Sequence, residues 1–345
     1  MAMAEITIRG AGIFGLSVAW ACAQRGASVQ VIDPNGPASG SSGGIVGALA
    51  PHVPENWNAK KAFQLDSLLM AEAFWRDVET AGGGVSGYAR KGRLQPIADD
   101  AGLALAQRRA ETAQALWQGN ATWQVVQATG APWEPQSPSG RLIHDTLSAL
   151  IHPRMACAAL VQALRPKGVH VTPESPDRGA VLWATGVAGL EQMTAGHSRM
   201  VGNGVKGQAA LLAHDARGLP QLFAGGVHVI PHGDGTVAIG STSERDYDTP
   251  DQTDAQLDAV IAAARAAVPA LAQAQVIDRW AGVRPRSRSR APMLGAWPGK
   301  PGHFIANGGF KIGFGMAPKV AQVMADLMLE GRDAIPDGFR VEDNF

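Results

Sequence analysis

The feature that most constrains the fold of this chain is the segment of residues 6–33, which reads ITIRGAGIFGLSVAWACAQRGASVQVID. A β-branched run leads into Gly10, Gly12 and Gly15, an apolar helical segment follows, and a second apolar run ends at Asp33. A strand, a glycine turn, a helix and a second strand within about 30 residues are the context in which GxGxxG indicates a dinucleotide-binding βαβ unit. The segment therefore predicts a site where a pyrophosphate lies at the helix N-terminus and Asp33 accepts hydrogen bonds from a ribose.

Each glycine of this motif has its own mechanical role. Gly10 allows the tight turn, Gly12 lets the backbone approach a pyrophosphate, and Gly15 lets the helix pack on the strand. A glycine-rich turn alone would suit any βαβ unit. The strand, the helix, the second strand and the terminal acid occur in the expected register here, which favours the dinucleotide interpretation.

The composition is that of a globular protein without a strong overall electric field. Hydrophobic residues make up 46% of the 345 residues, and 30 Lys and Arg residues balance 30 Asp and Glu residues. A net charge of zero gives no reason to expect nucleic acid or an anionic membrane as a partner. The sequence contains no run of about 18 consecutive apolar residues, so it predicts no membrane span.

The cysteines and the start of the chain indicate the compartment. Cys22 and Cys157 both fall in apolar helical patterns, where a buried, reduced cysteine is expected. The chain lacks CxxC and Cys/His clusters, so the sequence predicts no metal site. The first residues lack the pattern of a signal peptide. We therefore expect a cytoplasmic protein.

The order of the predicted elements indicates an α/β fold with two interleaved domains. Residues 1–84, 150–203 and 276–345 are predicted to form a doubly wound, Rossmann-like nucleotide domain. The β-rich residues 85–149 and 204–275 are predicted to form a smaller substrate domain between these sections.

Periodicity and helix-breaking residues divide the rest of the chain into elements. Helices are predicted over residues 60–81, 99–117, 153–164, 252–268 and 317–329. Strands are predicted over residues 93–97, 122–127, 180–183, 209–212, 222–230, 236–239 and 304–306. Residues 286–290, where Arg alternates with Ser, are predicted to form an extended basic loop.

A Gly-, Ser- and Pro-rich stretch, residues 34–58, directly follows Asp33. It is either a flexible linker or a loop whose backbone N–H groups meet a ligand. Its position next to the acid of the nucleotide unit favours the loop. His52 lies in this stretch, and we expect it to be a structural histidine.

Seven features, in this order along the chain, resemble the D-amino-acid oxidase family of FAD enzymes, and within that family the glycine oxidase branch. They are RGAGIFGLSVAW (9–20), Asp33, ASGSSGGIVGALAP (38–51), VKGQAALL (205–212), VIPHGDGTVAIGSTSE (229–244), WAGVRPRSRSRAPMLG (280–295) and NGGFKIGFGMAP (307–318). The resemblance implies an FAD-binding domain and a substrate domain built on a mixed, largely antiparallel β-sheet. The active site would lie between the two domains, at the flavin ring.

The resemblance also implies which residues contact FAD. They are Gly10, Ala11, Gly12, Ile13, Phe14, Gly15 and Asp33 in the first unit; Ser39, Ser42, Gly43, Gly44, Ala48 and Leu49 in the loop; Ala184, Thr185 and Gly186 at a strand end; and Gly308, Gly309, Phe310, Lys311, Ile312 and Gly313 in a late turn. Glycines in the late turn would let backbone N–H groups approach the flavin, and the following helix N-terminus would favour its reduced, negative form. The alternative interpretation, a helix cap with extra glycines, would account for only one or two of the glycines in this turn.

The implied reaction is oxidation of the C–N bond of a small amino acid or secondary amine acid. Family enzymes place an Arg at the position of Arg284 against the substrate carboxylate, and a guanidinium matches that planar group. Lys311 matches the position of a second basic residue in the glycine oxidase branch. His228 and Ser243 fall on strands that line the pocket in the family.

Several functions remain open at this point. One alternative keeps the flavin but acts on a carboxymethylaminomethyl-modified tRNA base, with the basic residues 284–290 on phosphates. Another is an FAD-binding subunit of a heteromeric amine dehydrogenase. A third is an NAD-dependent dehydrogenase, which uses the same opening motif. The electron acceptor could be oxygen or another molecule, and the chain could form a homo-oligomer.

Overall fold

The computed structural model describes residues 4–345, in which the chain forms sixteen β-strands and seven α-helices. The strands are β1 Glu5–Arg9, β2 Ser28–Ile32, β3 Ala48–Leu49, β4 Arg93–Pro96, β5 Trp123–Gln127, β6 Arg141–Asp145, β7 Ala149–Leu150, β8 Val171–Thr172, β9 Ala180–Trp183, β10 Gly202–Ala213, β11 Gln221–Ala224, β12 Val227–Pro231, β13 Thr236–Gly240, β14 Gln275–Ser287, β15 Met293–Ala296 and β16 His303–Asn307. The helices are α1 Ile13–Gln24, α2 Ala59–Gly82, α3 Asp100–Trp117, α4 Pro153–Leu164, α5 Gly186–Ala195, α6 Ala255–Ala267 and α7 Gly313–Glu330.

The first sheet has six strands in the order β15-β16-β9-β1-β2-β8. All its pairings are parallel except that of β15 with β16. Strand β2 pairs with one edge of β1, and β9 pairs with the other edge. The order of the strands in the sheet therefore reverses between β1 and β9. In parallel α/β sheets, ligands bind at the carboxyl ends of the strands at this reversal. The doubly wound nucleotide domain predicted from the sequence is confirmed.

Apolar packing between helices holds the strands of this domain in place. Helix α1 is buried along most of its length and packs against α7 and α4. Both cysteines, Cys22 and Cys157, lie in this core, and burial raises the pKa of each thiol to about 12. They are therefore protonated at neutral pH, and no disulfide joins them.

The second sheet has eight strands in the order β14-β10-β13-β12-β11-β4-β6-β5. Only the pairing of β11 with β4 is parallel. A buried ion pair joins the neighbouring strands β4 and β6, where Arg93 Nε donates to Asp145 Oδ2 at 3.0 Å. The sheet is thus mixed and largely antiparallel, as expected.

Strand β14 differs from the sequence-based division of the chain. It pairs with β10 along Gly202–Ala213 and so belongs to the second sheet, whereas the prediction assigned residues 276–287 to the nucleotide domain. The physical reason is that the basic segment stays extended through Ser287 and continues the strand. The loop predicted there is confined to the residues between Ser287 and Met293.

Most predicted helices agree with the structure to within a few residues, because their capping residues stand in the sequence. Asp99 caps α3 by accepting the Gly102 N–H at 2.8 Å, and Pro153 is the first residue of α4. Helix α7 begins at Gly313, four residues before the predicted start at residue 317. Pro318 lies inside this helix.

One predicted strand, residues 222–230, is in fact the hairpin of β11 and β12. Gly225 and Gly226 form its turn, with φ angles of +59° and +74°. Two consecutive residues with positive φ are characteristic of a type I′ hairpin turn, which glycine adopts at low cost. None of the helices in residues 4–345 is long and apolar enough to cross a membrane.

Candidate active site

A cavity of about 740 Å³ opens at the carboxyl ends of β1 and β9 and extends to the second sheet. Asp33 and Ser42 line it near the first βαβ unit, and Arg284 and Lys311 line it on the side of the second sheet. The cavity therefore joins the predicted nucleotide site to the predicted substrate site without interruption.

Asp33 is held in a fixed orientation at the end of β2. Its Oδ2 accepts the Ala11 N–H at 2.8 Å, and its Oδ1 accepts the Asn35 N–H at 3.0 Å. Each carboxylate oxygen retains a second lone pair. Because the group also lines the cavity, it can accept a hydrogen bond from a ribose hydroxyl there.

The start of helix α1 supplies backbone donors to the same region. Its N-cap is Gly12, which has no side chain to cap the first turn, and that turn contains no acidic residue. Ser42 Oγ accepts only the Ile13 N–H, at 3.0 Å. The other first-turn N–H groups and the positive end of the helix dipole are therefore available to an anion such as a pyrophosphate.

Close backbone approaches explain two of the glycines in this motif. A Cβ on Gly10, whose φ is +105°, would lie 2.3 Å from the carbonyl oxygen of Ala184. A Cβ on Gly15 would lie 1.9 Å from the carbonyl oxygen of Gly10. Gly10 thus lets β9 approach the turn, and Gly15 lets α1 pack on β1, as the motif predicts.

The strand end after β9 and the late turn meet at a buried amide. Asn307 Nδ2 donates to Gly186 O at 2.9 Å, and Asn307 Oδ1 accepts the Gly308 N–H at 2.7 Å. Sequence reasoning missed Asn307. The available signal was a polar residue at the end of an apolar strand, directly before a glycine-rich turn.

The late turn brings backbone and side chains to the cavity wall. Gly309, Phe310, Lys311 and Gly313 line the cavity, and α7 begins there without a side-chain cap or an acidic residue in its first turn. Gly308 faces away, because a Cβ on it would lie 1.6 Å from Ser287 Oγ. A second helix N-terminus is therefore directed at the same cavity.

Arg284 lies half-buried at the cavity wall on strand β14. Its Nη2 donates to Ser241 Oγ at 2.7 Å and its Nη1 to Thr242 O at 3.3 Å. No carboxylate forms an ion pair with it among residues 4–345. Burial lowers its pKa to about 10, and the charge of Glu244 acts in the opposite direction. The guanidinium therefore remains charged at neutral pH and lacks an anionic partner.

The neighbouring strand leaves space for this guanidinium. A Cβ on Gly207 of β10 would lie 1.9 Å from Arg284 Nη1. Next to Gly207, the buried Lys206 pairs with Glu244 at 3.5 Å, and Glu244 also accepts from Gln208 Nε2 at 3.0 Å. Glu244 is thereby neutralised by Lys206, which leaves the charge of Arg284 available to a ligand.

Lys311 adds a second cation near Arg284. Burial, and then the charge of Arg284, lowers the pKa of Lys311. His228 lies on β12 outside the cavity lining, with its ring 4.8 Å from that of Phe223. Burial, followed by the charges of Arg93 and Lys311, lowers the pKa of His228 to about 4. His228 is therefore neutral at neutral pH.

The lowered pKa of His228 predicts a loss of stability in acid. Since its folded pKa lies below the unfolded value of 6.5, the unfolded chain binds more protons below pH 6.5. The stabilisation is complete above pH 6.5 and is lost as pH falls towards 4. Between pH 6.5 and 5 we expect wild type to lose about 1 to 2 kcal/mol more unfolding free energy than His228→Gln. Urea unfolding at several pH values measures this difference, and parallel curves would contradict it.

Most predicted cofactor residues line the cavity. Besides those named above, they include Gly10, Gly12, Ile13, Phe14, Ser39, Gly44, Ala48, Ala184, Thr185 and Gly186. The predicted residues outside the lining are Ala11, Gly15, Gly43, Leu49, Gly308, Ile312, His228 and Ser243. Several of these residues pack behind the lining residues or hold them in place. Leu49 is core, for example, and Ala11 orients Asp33.

Ser243 does not lie on a strand, contrary to the sequence prediction. Strand β13 ends at Gly240, and Ser243 is exposed three residues further on. Ser241, the first residue after the strand, lines the cavity and accepts from Arg284. Trp280 is a further lining residue without an individual sequence prediction, and its ring lies against Gly44 of the loop. His52 is a structural histidine whose backbone N–H and ring both contact Gln64 Oε1.

The two sheets, the glycine turn at the strand reversal and the continuous cavity define a dinucleotide-binding protein of the α/β class. Residues 5–327 match the sequence model of the family described as FAD dependent oxidoreductase, abbreviated DAO. The chain belongs to this family, and its cofactor is FAD. The family and the cofactor predicted from the sequence are confirmed.

Individual relatives agree with this assignment. A glycine oxidase of Pseudomonas aeruginosa is 37% identical over 134 residues, which span 39% of this chain and 36% of that protein. The crystal structure of glycine oxidase from Geobacillus kaustophilus has a TM-score of 0.84 and 20% identity, over 98% of this chain and 99% of that one. Iminodiacetate oxidase from Chelativorans sp. BNC1 has a TM-score of 0.85 and 21% identity, over 97% and 98%. At these identities the two structures show a shared fold.

Proposed function

We propose that the enzyme oxidises the C–N bond of a small amino acid or secondary amine acid. The observation that carries the proposal is the half-buried guanidinium of Arg284, which lines the FAD cavity without a carboxylate partner among the described residues. A charge that is partly removed from water and has no ionic partner is costly. A substrate carboxylate would relieve that cost with a planar, two-point hydrogen bond.

The residues of the chain bind and orient the substrate in this proposal. Arg284 holds the carboxylate, while Ser241 Oγ and the Thr242 carbonyl fix the guanidinium by accepting hydrogen bonds from it. Bound FAD supplies, at its N5, the acceptor for the hydride that leaves the substrate carbon. Water then hydrolyses the resulting imine to an oxo acid and ammonia or an amine. Orientation and charge pairing are the main tasks of the protein, so a dedicated general base is not required.

Lys311 extends the proposal to the choice of substrate. With Arg284 it gives this end of the cavity two cations, and a monocarboxylate compensates only one of them. Diacids such as iminodiacetate, the substrate named for one structural relative, would engage both. We therefore expect an amine acid to be oxidised, and an amine diacid to be preferred among close analogues.

A product assay tests the proposed function. The purified FAD enzyme is incubated with glycine, sarcosine, iminodiacetate and D- and L-alanine, and the oxo acid and ammonia or amine are quantified. Methylamine and glycine ethyl ester, which have no carboxylate, serve as controls. We expect turnover of at least one acid and little of the controls. Equal turnover of acids and controls, or none of any, would contradict the proposal.

A second function, action on a modified tRNA base, is favoured by one observation. Arg286 lies over the Phe310 ring at 5.7 Å, and Lys60 donates to Arg290 O, so that three cations cluster beside the cavity. Burial and then the charges of Arg290 and Arg286 lower the pKa of Lys60. Binding of tRNA that weakens steeply with salt would support this function. No binding at low salt would remove it.

A further inference from the structure

A group of metal-ligand side chains lies outside the lining of the FAD cavity, where α4 begins beside the turn between β12 and β13. His152 precedes α4, and His232 and Asp234 belong to the turn. One ligand atom from each lies within 4.8 Å of the other two, and the imidazole centroids are 4.4 Å apart. The group thus connects a helix that packs on α1 and α2 with a hairpin of the second sheet.

His232 carries a ring nitrogen, Nε2, without a hydrogen-bond partner of normal geometry among the described residues, although the Ile45 backbone lies close enough to the ring to raise its pKa. Its side chain is 1% exposed, and Nε2 has no hydrogen-bond partner within residues 4–345. Its Nδ1 lies 3.3 Å from Thr236 Oγ1, and that hydroxyl donates its one proton to Asp234 Oδ1 at 2.7 Å. The hydroxyl can therefore accept from Nδ1–H, and in that tautomer Nε2 is the ring nitrogen with the free lone pair. A buried acceptor without a donor calls for a ligand.

The other two groups have ligand capacity to spare. His152 Nδ1 accepts only a long hydrogen bond of 3.4 Å from the Met155 N–H, so a small cost frees this ring to reorient. Asp234 is exposed, and both of its hydrogen bonds from Thr236 go to Oδ1. The second oxygen, Oδ2, remains available. The Thr236 hydroxyl contacts both His232 and Asp234. It would orient these two residues in the way that hydrogen-bonding partners outside a metal's coordination shell orient its ligands.

We propose that His152, His232 and Asp234 bind one divalent transition-metal ion, with Zn²⁺ as the best match. Two imidazoles and one carboxylate are a donor set typical of Zn²⁺. Mg²⁺ and Ca²⁺ prefer all-oxygen sites, which separates them from this group. Bonds of about 2.0 to 2.2 Å require the three ligands to draw together slightly, and the partly exposed His152 and the exposed Asp234 can move. Water would complete the coordination.

Both imidazoles are in the neutral form that binds metals. Burial, and then His152, lowers the pKa of His232 to about 4, and burial is the main cause of the lowered pKa of His152. The bound ion would also fix the position of Pro153, which follows His152 and lines the FAD cavity. Zn²⁺ should therefore stabilise the folded enzyme by linking α4 to the hairpin.

Zinc titration of the FAD-loaded enzyme tests the site. The protein carries no polyhistidine tag and is first treated with a chelator, and binding is followed by calorimetry and metal analysis. We expect one Zn²⁺ per chain and a rise in Tm on binding. His232→Gln and Asp234→Asn should each weaken binding at least tenfold, whereas His170→Gln, a change at an exposed histidine away from the site, should leave it unchanged.

The outcomes separate a built site from surface adsorption. Asp234→Asn changes an exposed side chain, so it tests the site even where His232→Gln fails to fold. Co²⁺ in place of Zn²⁺ should give visible absorption bands that disappear in the Asp234→Asn enzyme. Zn²⁺ binding that neither variant weakens, equal binding of Mg²⁺, or no binding at all would overturn the proposal.

Discussion

Substituting Arg284 by methionine should lower kcat/KM for a carboxylate-bearing amine by about 30- to 5,000-fold, which corresponds to about 2 to 5 kcal/mol. Methionine keeps most of the side-chain volume and removes the charge. The buried substrate carboxylate would then lose its only two-point partner. FAD content should stay at the wild-type level, since Arg284 lies on the second sheet and away from the first βαβ unit.

Two comparisons make the Arg284 result specific. Arg288→Met removes an exposed arginine four residues further along the chain and should leave kcat/KM within about twofold of wild type. Gly207→Ala should act through Arg284, because the new Cβ would lie 1.9 Å from Nη1 and displace the guanidinium. We expect it to raise KM for the acid without loss of flavin. Unchanged kinetics in Arg284→Met would refute the assignment of this residue.

Gly10→Ala should strip the enzyme of most of its FAD and lower its unfolding free energy by about 2 to 6 kcal/mol. Two costs add at this position. A φ of +105° is strained for any residue with a Cβ, and that Cβ would lie 2.3 Å from Ala184 O. Since Ala184 is backbone at the end of β9, relief requires the two strand ends to separate just where the cofactor binds. Flavin absorbance per protein and urea unfolding measure the two effects.

Gly26→Ala is the matched control for this variant. Gly26 also has a positive φ, +83°, but a Cβ there would meet nothing within 4 Å. It should therefore show only the strain cost, about 1 to 2 kcal/mol, with full FAD content. If Gly10→Ala loses no more FAD than Gly26→Ala, the close approach of β9 to the turn is not needed for the cofactor.

Local chemistry explains which elements could be predicted from the sequence. The βαβ unit, α3 and α4 have their turn and capping residues in place, so the prediction agreed with the structure. The hairpin at Gly225 and Gly226 was missed because an uninterrupted apolar pattern on both sides of two glycines looks like a single strand. The extent of β14 depends on pairing with β10, a long-range contact that no local pattern encodes.

Sequence patterns predicted the cavity-lining positions at which the backbone itself, rather than a side chain, is expected to contact the cofactor. Glycines that line the cavity were identified because their motif has fixed spacing, and Arg284 because its position follows a recognisable segment. Ser243 was named from the family resemblance, whereas Ser241, the first residue after β13, is the serine that lines the cavity. The sequence analysis did not predict that His152 and His232 lie next to each other. Metal ligands were sought as local Cys and His clusters, and these two residues meet only in the folded chain.

The most direct test of the central claim is anaerobic mixing of the oxidised, FAD-loaded enzyme with an amine acid while the flavin spectrum is recorded. We predict that the flavin of the wild-type enzyme is bleached by an acid such as sarcosine or iminodiacetate and recovers when an electron acceptor is admitted. The Arg284→Met enzyme, with the same FAD content, should be bleached far more slowly. A flavin that no amine acid reduces, or one that the acid and its ethyl ester reduce equally in both enzymes, would contradict the account.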